Sequence, residues 1–344
     1  MSKRKLTRRQ LWRIEKIQTE KQSRLLKNES LVKSLSDENE HLNQLGMVSA
    51  RFGKQLEVQA INEQGQVENT QSFLCHIRAN IPDMVVGDEV HWHPLDETTG
   101  VVESLCERQS ILARRDKHGQ QKMIAANITQ VFIVVAAQPE TPPLVIDRYL
   151  VACELLKLNV SLLINKSDLE NSAELLGYLQ KNYTQVVTDI FCCSIHNEKQ
   201  LANLQQRLAN HNSVFIGQSG VGKSSLVQAL IGDNNIKTQS LSQRSGLGQH
   251  TTSTSRLYHL PEGGCIIDSP GIRDFDLDEV SMEELQQGYK EFRFVNEPCK
   301  FRNCLHDKEP HCAIQKAVTQ GLISEQRYQN YLALAEQLNL LKLK

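Results

Sequence analysis

No apolar run in this sequence approaches the ~20 residues of a membrane-spanning helix; the best is Val131 to Ala137. No apolar stretch follows the basic N-terminus, which argues against a secretory signal. The expectation is a cytoplasmic protein with no membrane partner. Matched cysteines are also missing. The nine cysteines are an odd number, and Cys299, Cys304 and Cys312 crowd with histidines while the others scatter, which favours a metal site in a reducing compartment over disulfides. No long heptad or exposed apolar stripe demands a dimer, so a monomer is expected. Charge bias looks absent at a net −1, yet the first 33 residues hold eleven Lys or Arg against Glu15, Glu20 and Glu29. That excess of eight positive charges leaves the remaining chain nine negative. A basic terminus of this kind suits polyanions such as RNA, with salt-dependent affinity; its bland alternative is a solvated tail.

With 344 residues and 39.0 kDa, the chain suits two or three domains. Residues 1–43 read as a basic flexible arm. Residues 44–110 carry five short β-prone runs (47–52, 56–61, 72–78, 88–93 and 100–105) between turn signals, a pattern that predicts a small OB-fold barrel. Phe52, Phe73 and Trp92 are candidate stacking platforms for bases, with Arg51 and Arg78 for phosphate; equally, the aromatics are barrel core. Residues 111–276 alternate apolar strands with helical patterns, the texture of an α/β domain with a parallel sheet. Strands are expected at Val131 to Ala136, Val160 to Ile164, Gln185 to Ile190, Ser213 to Ile216 and Gly264 to Ile267. Residues 277–344 turn helical. Ser281 and Glu284 stand at capping-box spacing, and Tyr328, Tyr331, Leu332, Ala335 and Leu338 form one helical stripe.

Gly217-Gln218-Ser219-Gly220-Val221-Gly222-Lys223-Ser224, followed by Ser225, is a full P-loop between a strand and a helix. Glycines let backbone N–H groups curl around phosphates. Lys223 is expected at the β and γ phosphates and Ser224 on Mg²⁺. Asn165-Lys166-Ser167-Asp168 closes a strand and fits the NKxD guanine motif. Asp168 can accept from both N1–H and the 2-amino group of guanine, a donor pair adenine lacks, so GTP is preferred over ATP. Ser194 is a candidate for the loop supporting the base. Asp268-Ser269-Pro270-Gly271 fits DxxG, with Asp268 near Mg²⁺ and Gly271 at the γ-phosphate. Between these motifs, Gly248-Gln249-His250-Thr251-Thr252-Ser253 offers Thr251 or Thr252 as the switch threonine for Mg²⁺. A small-molecule kinase is a weaker reading, opposed by Asp168.

The guanine motif thus precedes the P-loop, whereas ordinary GTPases run in the opposite order, so the domain is circularly permuted. Surface termini allow the same site to form from an exchanged chain order. DxxG then feeds straight into the C-terminal segment, which could transmit nucleotide state to it. Ile272 occupies the position where small GTPases carry a water-orienting glutamine. Slow intrinsic hydrolysis is therefore expected, with His250 the candidate catalytic residue, or else a packing or partner contact. Cys299, Cys304, His306 and Cys312 supply three thiolates and an imidazole, enough for a closed, structural Zn²⁺ site; His311 is the alternative to His306.

These residues resemble the bacterial small-ribosomal-subunit biogenesis GTPase family RsgA, also called YjeQ. The likeness rests on NKSD at 165–168, GQSGVGKSS at 217–225, GQHTTS at 248–253 with Leu257-Tyr258, DSPG at 268–271 and the cysteine set. Gln249 and Ser253 depart from the family's GRHTTT pattern. The resemblance implies an N-terminal OB-fold, a permuted GTPase domain and a C-terminal zinc domain, all contacting the small (30S) subunit and its 16S rRNA. It also implies slow GTP hydrolysis to GDP stimulated by that subunit, with a role in late assembly and in release of an assembly factor. An RNA-binding chaperone that uses GTP only as a conformational ligand is the competing reading.

Overall fold

The computed structural model describes residues 44–53, 55–62, 67–78, 81–115, 121–232, 255–268 and 280–342. The basic arm and its RNA-binding expectation lie outside the described residues. Two compact units emerge, the first made mainly of described residues up to Ile111 and the second of those from Leu112 onward.

In the first unit, β1 (Gln44–Phe52), β2 (Gln55–Ile61), β3 (Val67–Ile77), β4 (Glu89–Pro94) and β5 (Thr99–Leu105) form a closed OB-like barrel. β5 alternates half-buried and buried residues along its length, the period of a strand with one face on a core. β1 pairs antiparallel with β2 and β4, β2 with β3 and β4 with β5, while β3 and β5 run parallel. Ring closure removes the free edges that invite aggregation. Val48, Leu56, Val58, Cys75, Met84, Val90, Trp92 and Val102 fill the centre.

Trp92 is fully buried and its indole Nε1 donates to Leu45 O at 3.4 Å. The core alternative therefore holds for Trp92, and its reading as a base-stacking platform is overturned. Gly46 makes room for it, since a Cβ there would stand 2.4 Å from Nε1. Phe73 packs against the Trp92 ring with centroids 4.8 Å apart. Arg51 donates to Met84 O at 2.6 Å and pairs with Asp83, while Arg78 pairs with Glu103 at 2.7 Å. Below the barrel wall, buried Asp88 takes two bonds from Arg108, at 2.6 and 2.8 Å.

The second unit holds a small sheet of β6 (Ile111–Arg115) with β7 (Gln121–Ala126) and then the α/β fold. Its elements are β8 (Gln130–Val135), α1 (Pro143–Leu155), β9 (Val160–Ile164), α2 (Ser172–Tyr183), β10 (Ile190–Cys192), α3 (Glu198–Leu208), β11 (Asn212–Ile216), α4 (Lys223–Ile231), β12 (Arg256–His259) and β13 (Cys265–Asp268). All five residues of β9 are buried, as expected of a central parallel strand covered on both faces. The spatial order is β10-β9-β8-β11-β13-β12, with parallel pairing from β10 through β13. The chain runs outward from β8 through β9 to β10, then crosses to β11 on the other side of β8, beyond which β13 and then β12 follow. The switch point between β8 and β11 is where ligands of open α/β sheets bind, at the carboxyl ends of the strands. Phe132, Leu163, Leu204, Phe215, Leu226 and Leu230 share one core beneath α3 and α4.

The strand expected at Gln185 to Ile190 is displaced to β10. Val186 N and Val187 N both bond Tyr183 O, at 2.9 and 3.2 Å, so the β-branched pair closes the end of α2 as a turn before pairing with β9 begins.

The chain ends in α5 (Met282–Gly288), a 3-10 turn (Lys290–Phe294), α6 (Ala313–Thr319) and α7 (Glu325–Lys342). Ser281 and Glu284 form the reciprocal capping box. Leu285, Tyr289, Ile314, Tyr328, Tyr331 and Leu338 pack with Val151 of α1. Within this contact, fully buried Arg327 grips both oxygens of Glu291, at 2.8 and 2.9 Å, and bonds Asp147 of α1. Asn330 satisfies the other Asp147 oxygen. Burial pushes the Asp147 carboxyl upward, and the Arg327 charge opposes the shift.

Candidate nucleotide site and metal cluster

Four sequence motifs reach the same carboxyl edge of the sheet. β11 delivers Gly217 to Gly222, and α4 starts at Lys223. β9 delivers Asn165 to Asp168, and β10 leads into Cys193 and Ser194. β13 ends on Asp268, one residue beyond the pairing of Ile267 with Val214 on β11.

The P-loop and the NKSD turn are clasped directly. Asn165 Nδ2 donates to Val221 O at 2.9 Å, and Lys166 Nζ to Gly220 O at 2.8 Å and Gln138 O at 3.1 Å. Gly222 must be glycine here: its φ is +92°, and a Cβ would fall 2.5 Å from Asn165 Nδ2. Lys223 Nζ lies over the loop, donating to Gly217 O and Gln218 O at 2.6 and 2.7 Å. Ser219 is exposed, as are Ser224 and Ser225 on the first turn of α4. The positive end of α4 and the loop's backbone N–H groups form a ready anion cradle.

Asp168 is exposed, and Ser194, itself buried, donates its hydroxyl to Oδ1. That bond holds the Asp168 carboxyl below its ordinary range, because an anion accepting a hydrogen bond is favoured over the neutral acid. His196 N in turn donates to Ser194 Oγ at 3.1 Å. The pair presents a fixed acceptor to any ring offering adjacent N–H donors. His250, Thr251, Thr252, Gly271 and Ile272, with Gln249 and Ser253, lie outside the described residues.

Near the C-terminus, the ligand atoms of Cys299, Cys304, His306 and Cys312 all lie within 4.8 Å of one another. His306 Nδ1 stands 3.6 Å from Cys299 Sγ and 3.4 Å from Cys312 Sγ, and those two sulfurs are 3.9 Å apart. A tetrahedral zinc with Zn–S near 2.3 Å sets sulfurs about 3.8 Å apart, so the donor set fits such an ion. His306 belongs to the cluster, while exposed His311 is not in it. Tyr328 and Tyr331 fix the turn by donating to His306 O at 2.6 Å and Leu305 O at 2.7 Å. Glu309 accepts from Leu305 N and Asp307 N. Burial, with the neighbouring Cys312 and Cys299 thiols, pushes the Cys304 thiol up to about 12, and burial pushes the His306 imidazole down; a bound dication reverses the first and suits the second.

Sequence reasoning missed Gln138, which helps anchor Lys166, and Gln200, which accepts from Ser167 Oγ at 2.8 Å. Neither belongs to a motif, and only the folded loops bring them in.

A P-loop at the switch point of a parallel sheet, with NKSD reached earlier in the chain and DSPG later, defines a circularly permuted P-loop GTPase. Exchanging the two halves of the chain would yield the same sheet. Residues 105–278 match the family described as RsgA GTPase. A curated relative from Pseudomonas putida strain F1, named small ribosomal subunit biogenesis GTPase RsgA, is 46% identical over 96% of this chain and 96% of its own. One of the same name from Hahella chejuensis is 42% identical over 98% and 97%. The crystal structure of YjeQ from Thermotoga maritima matches with a TM-score of 0.69 at 30% identity, covering 86% of this chain and 99% of that one. That of YloQ, described as a circularly permuted GTPase, matches at 0.68 and 25%, covering 88% and 98%. The chain belongs to the RsgA GTPase family and is a GTP-hydrolysing enzyme.

Proposed function

We propose that this GTPase binds the small ribosomal subunit and its 16S rRNA and assists late maturation, with hydrolysis promoting release of itself and of an assembly factor. The observation that carries the nucleotide half is the clasp of Asn165 and Lys166 on Gly220 and Val221, which unites base recognition and phosphate cradle on one edge. The names of the relatives support the ribosomal half.

In this reading Asp168 accepts from guanine, Ser194 and Ser167 steady it, and the loop from Gly217 to Ser225 wraps the phosphates through its N–H groups. Lys223 compensates charge at the β and γ oxygens. The oxygen donors Ser224, Asp268 and Thr252 or Thr251 would hold Mg²⁺, a hard cation whose charge would offset that of the phosphates. Gly271 N–H meets the γ-phosphate and His250 assists the attacking water in place of a glutamine. Zinc at Cys299, Cys304, His306 and Cys312 is structural. The arm 1–43 and the barrel 44–110 serve RNA, the GTPase domain spans 111–276 and the zinc domain 277–344. The protein acts as a cytoplasmic monomer in this reading; among the described residues no helix is long and apolar enough to cross a membrane.

The test is GTP turnover of the whole protein alone and with purified small subunits. Stimulation that falls to the unstimulated rate in His250→Ala is the expected result. Absence of any stimulation would overturn the triggered-GTPase reading in favour of a nucleotide-bound chaperone, and full stimulation of the variant would remove His250 from the chemistry.

A further inference from the structure

We propose that Gln200, on the first turn of α3, is a positioning residue for guanine selectivity, acting through Ser167 on the Asp168 carboxylate. The inference rests on Asp168 being the guanine acceptor and goes beyond it by naming what aims that carboxylate.

Asp168 stands exposed at the end of a tight turn, with Lys166 at φ +55°. A lone exposed carboxylate samples several rotamers, and only some of them align both oxygens with two adjacent N–H donors. The structure restrains it from two sides. Ser194 holds Oδ1 directly. On the other side Ser167 is fixed twice, its N–H bonding Cys193 O at 3.1 Å and its hydroxyl donating to Gln200 Oε1 at 2.8 Å.

Gln200 is itself anchored. Asn197 caps α3, its side chain accepting from Gln200 N at 3.2 Å, and Asn197 N bonds Ser194 O at 3.0 Å. The loop that supplies Ser194 therefore also starts the helix that supplies Gln200. The result is a closed ring through Asp168, Ser194, Asn197, Gln200 and Ser167, in which the turn and the loop cannot shift independently. Hypoxanthine keeps N1–H and lacks the 2-amino group. Loss of alignment at Asp168 removes the second bond first, so the signature of a loosened ring is a narrowed preference for guanine over hypoxanthine nucleotides.

The experiment measures dissociation constants for GDP and IDP, and KM and kcat for GTP, on the full-length protein. Gln200→Leu and Ser167→Ala are each expected to weaken GDP by about fivefold, the worth of one neutral hydrogen bond, while IDP weakens less and the GDP/IDP ratio narrows. KM for GTP rises with kcat little changed. The double variant is no weaker than either single one, because both remove the same bond. Gln200→Glu, which keeps an acceptor for Ser167, restores the ratio. If Gln200→Leu folds poorly, Ser167→Ala reads the same bond from its other end. An unchanged GDP/IDP ratio in both single variants overturns the proposal. Asp168→Asn separates the two levels: its amide should trade guanine for xanthine. Retention of GDP binding there would overturn the guanine reading itself, whereas loss of GDP there beside an unchanged ratio in Gln200→Leu would overturn only the role of Gln200.

Discussion

The barrel and the C-terminal helices solve one problem by opposite means. The barrel closes five strands on an apolar centre that includes Trp92, and its stability comes from area removed from water. The helical segment from 280 to 342 has short elements, two of them seven residues long, and adds two polar anchors to the core built on Tyr289 and Tyr331: a Cys3His cluster, and the group of Arg327, Asp147 and Glu291. Small domains often supplement an apolar core with metal or with neighbours. Such anchors bring geometric precision and concentrate the risk, since losing one partner leaves the others buried and unsatisfied.

Metal removal carries the largest expected effect. Chelation, or Cys304→Ser, should strip hydrogen-exchange protection from 299–338 while leaving the barrel strands protected, because structural zinc in small domains contributes on the order of 10 kcal/mol. Metal analysis of the purified protein fixes the ion. If protection in α6 and α7 survives full chelation, the cluster is not the anchor and the contrast with the barrel collapses.

Arg327→Met comes next. It leaves Asp147 and Glu291 buried without their cation, and breaking a buried pair in this way costs about 3–5 kcal/mol. Urea unfolding of the second unit should show that loss. Replacing all three charges together by apolar residues should recover most of it, because the desolvation penalty then disappears. A loss below ~1 kcal/mol would mean that water reaches the group and that it is no anchor.

The same contrast explains what the sequence disclosed. Short β-prone runs between turn signals revealed the barrel strands to within a few residues, and the P-loop and NKSD motifs and Asp268 marked the carboxyl edge of the sheet, because each is a local pattern. The cysteine set was legible for the same reason. The buried triad was not, since Asp147 and Arg327 are 180 positions apart and each sits in a helix whose apolar stripe reads well without it. Trp92 was ambiguous because an aromatic on a strand points inward or outward by register alone. Gln200 stayed hidden because its partner lies 33 positions away, in the turn after β9.

The barrel supplies the smallest and most diagnostic effect. Leu56 is fully buried in the barrel centre, and Leu56→Ala removes three carbons from a packed site with no charge left behind. The expected loss is about 3 kcal/mol from transfer and cavity terms, confined to β1 through β5 in hydrogen exchange. It should be identical with and without chelator, since additivity holds for distant, independent sites. Dependence on metal would mean that the two regions fold as one cooperative unit, and their opposite strategies would then be parts of a single one.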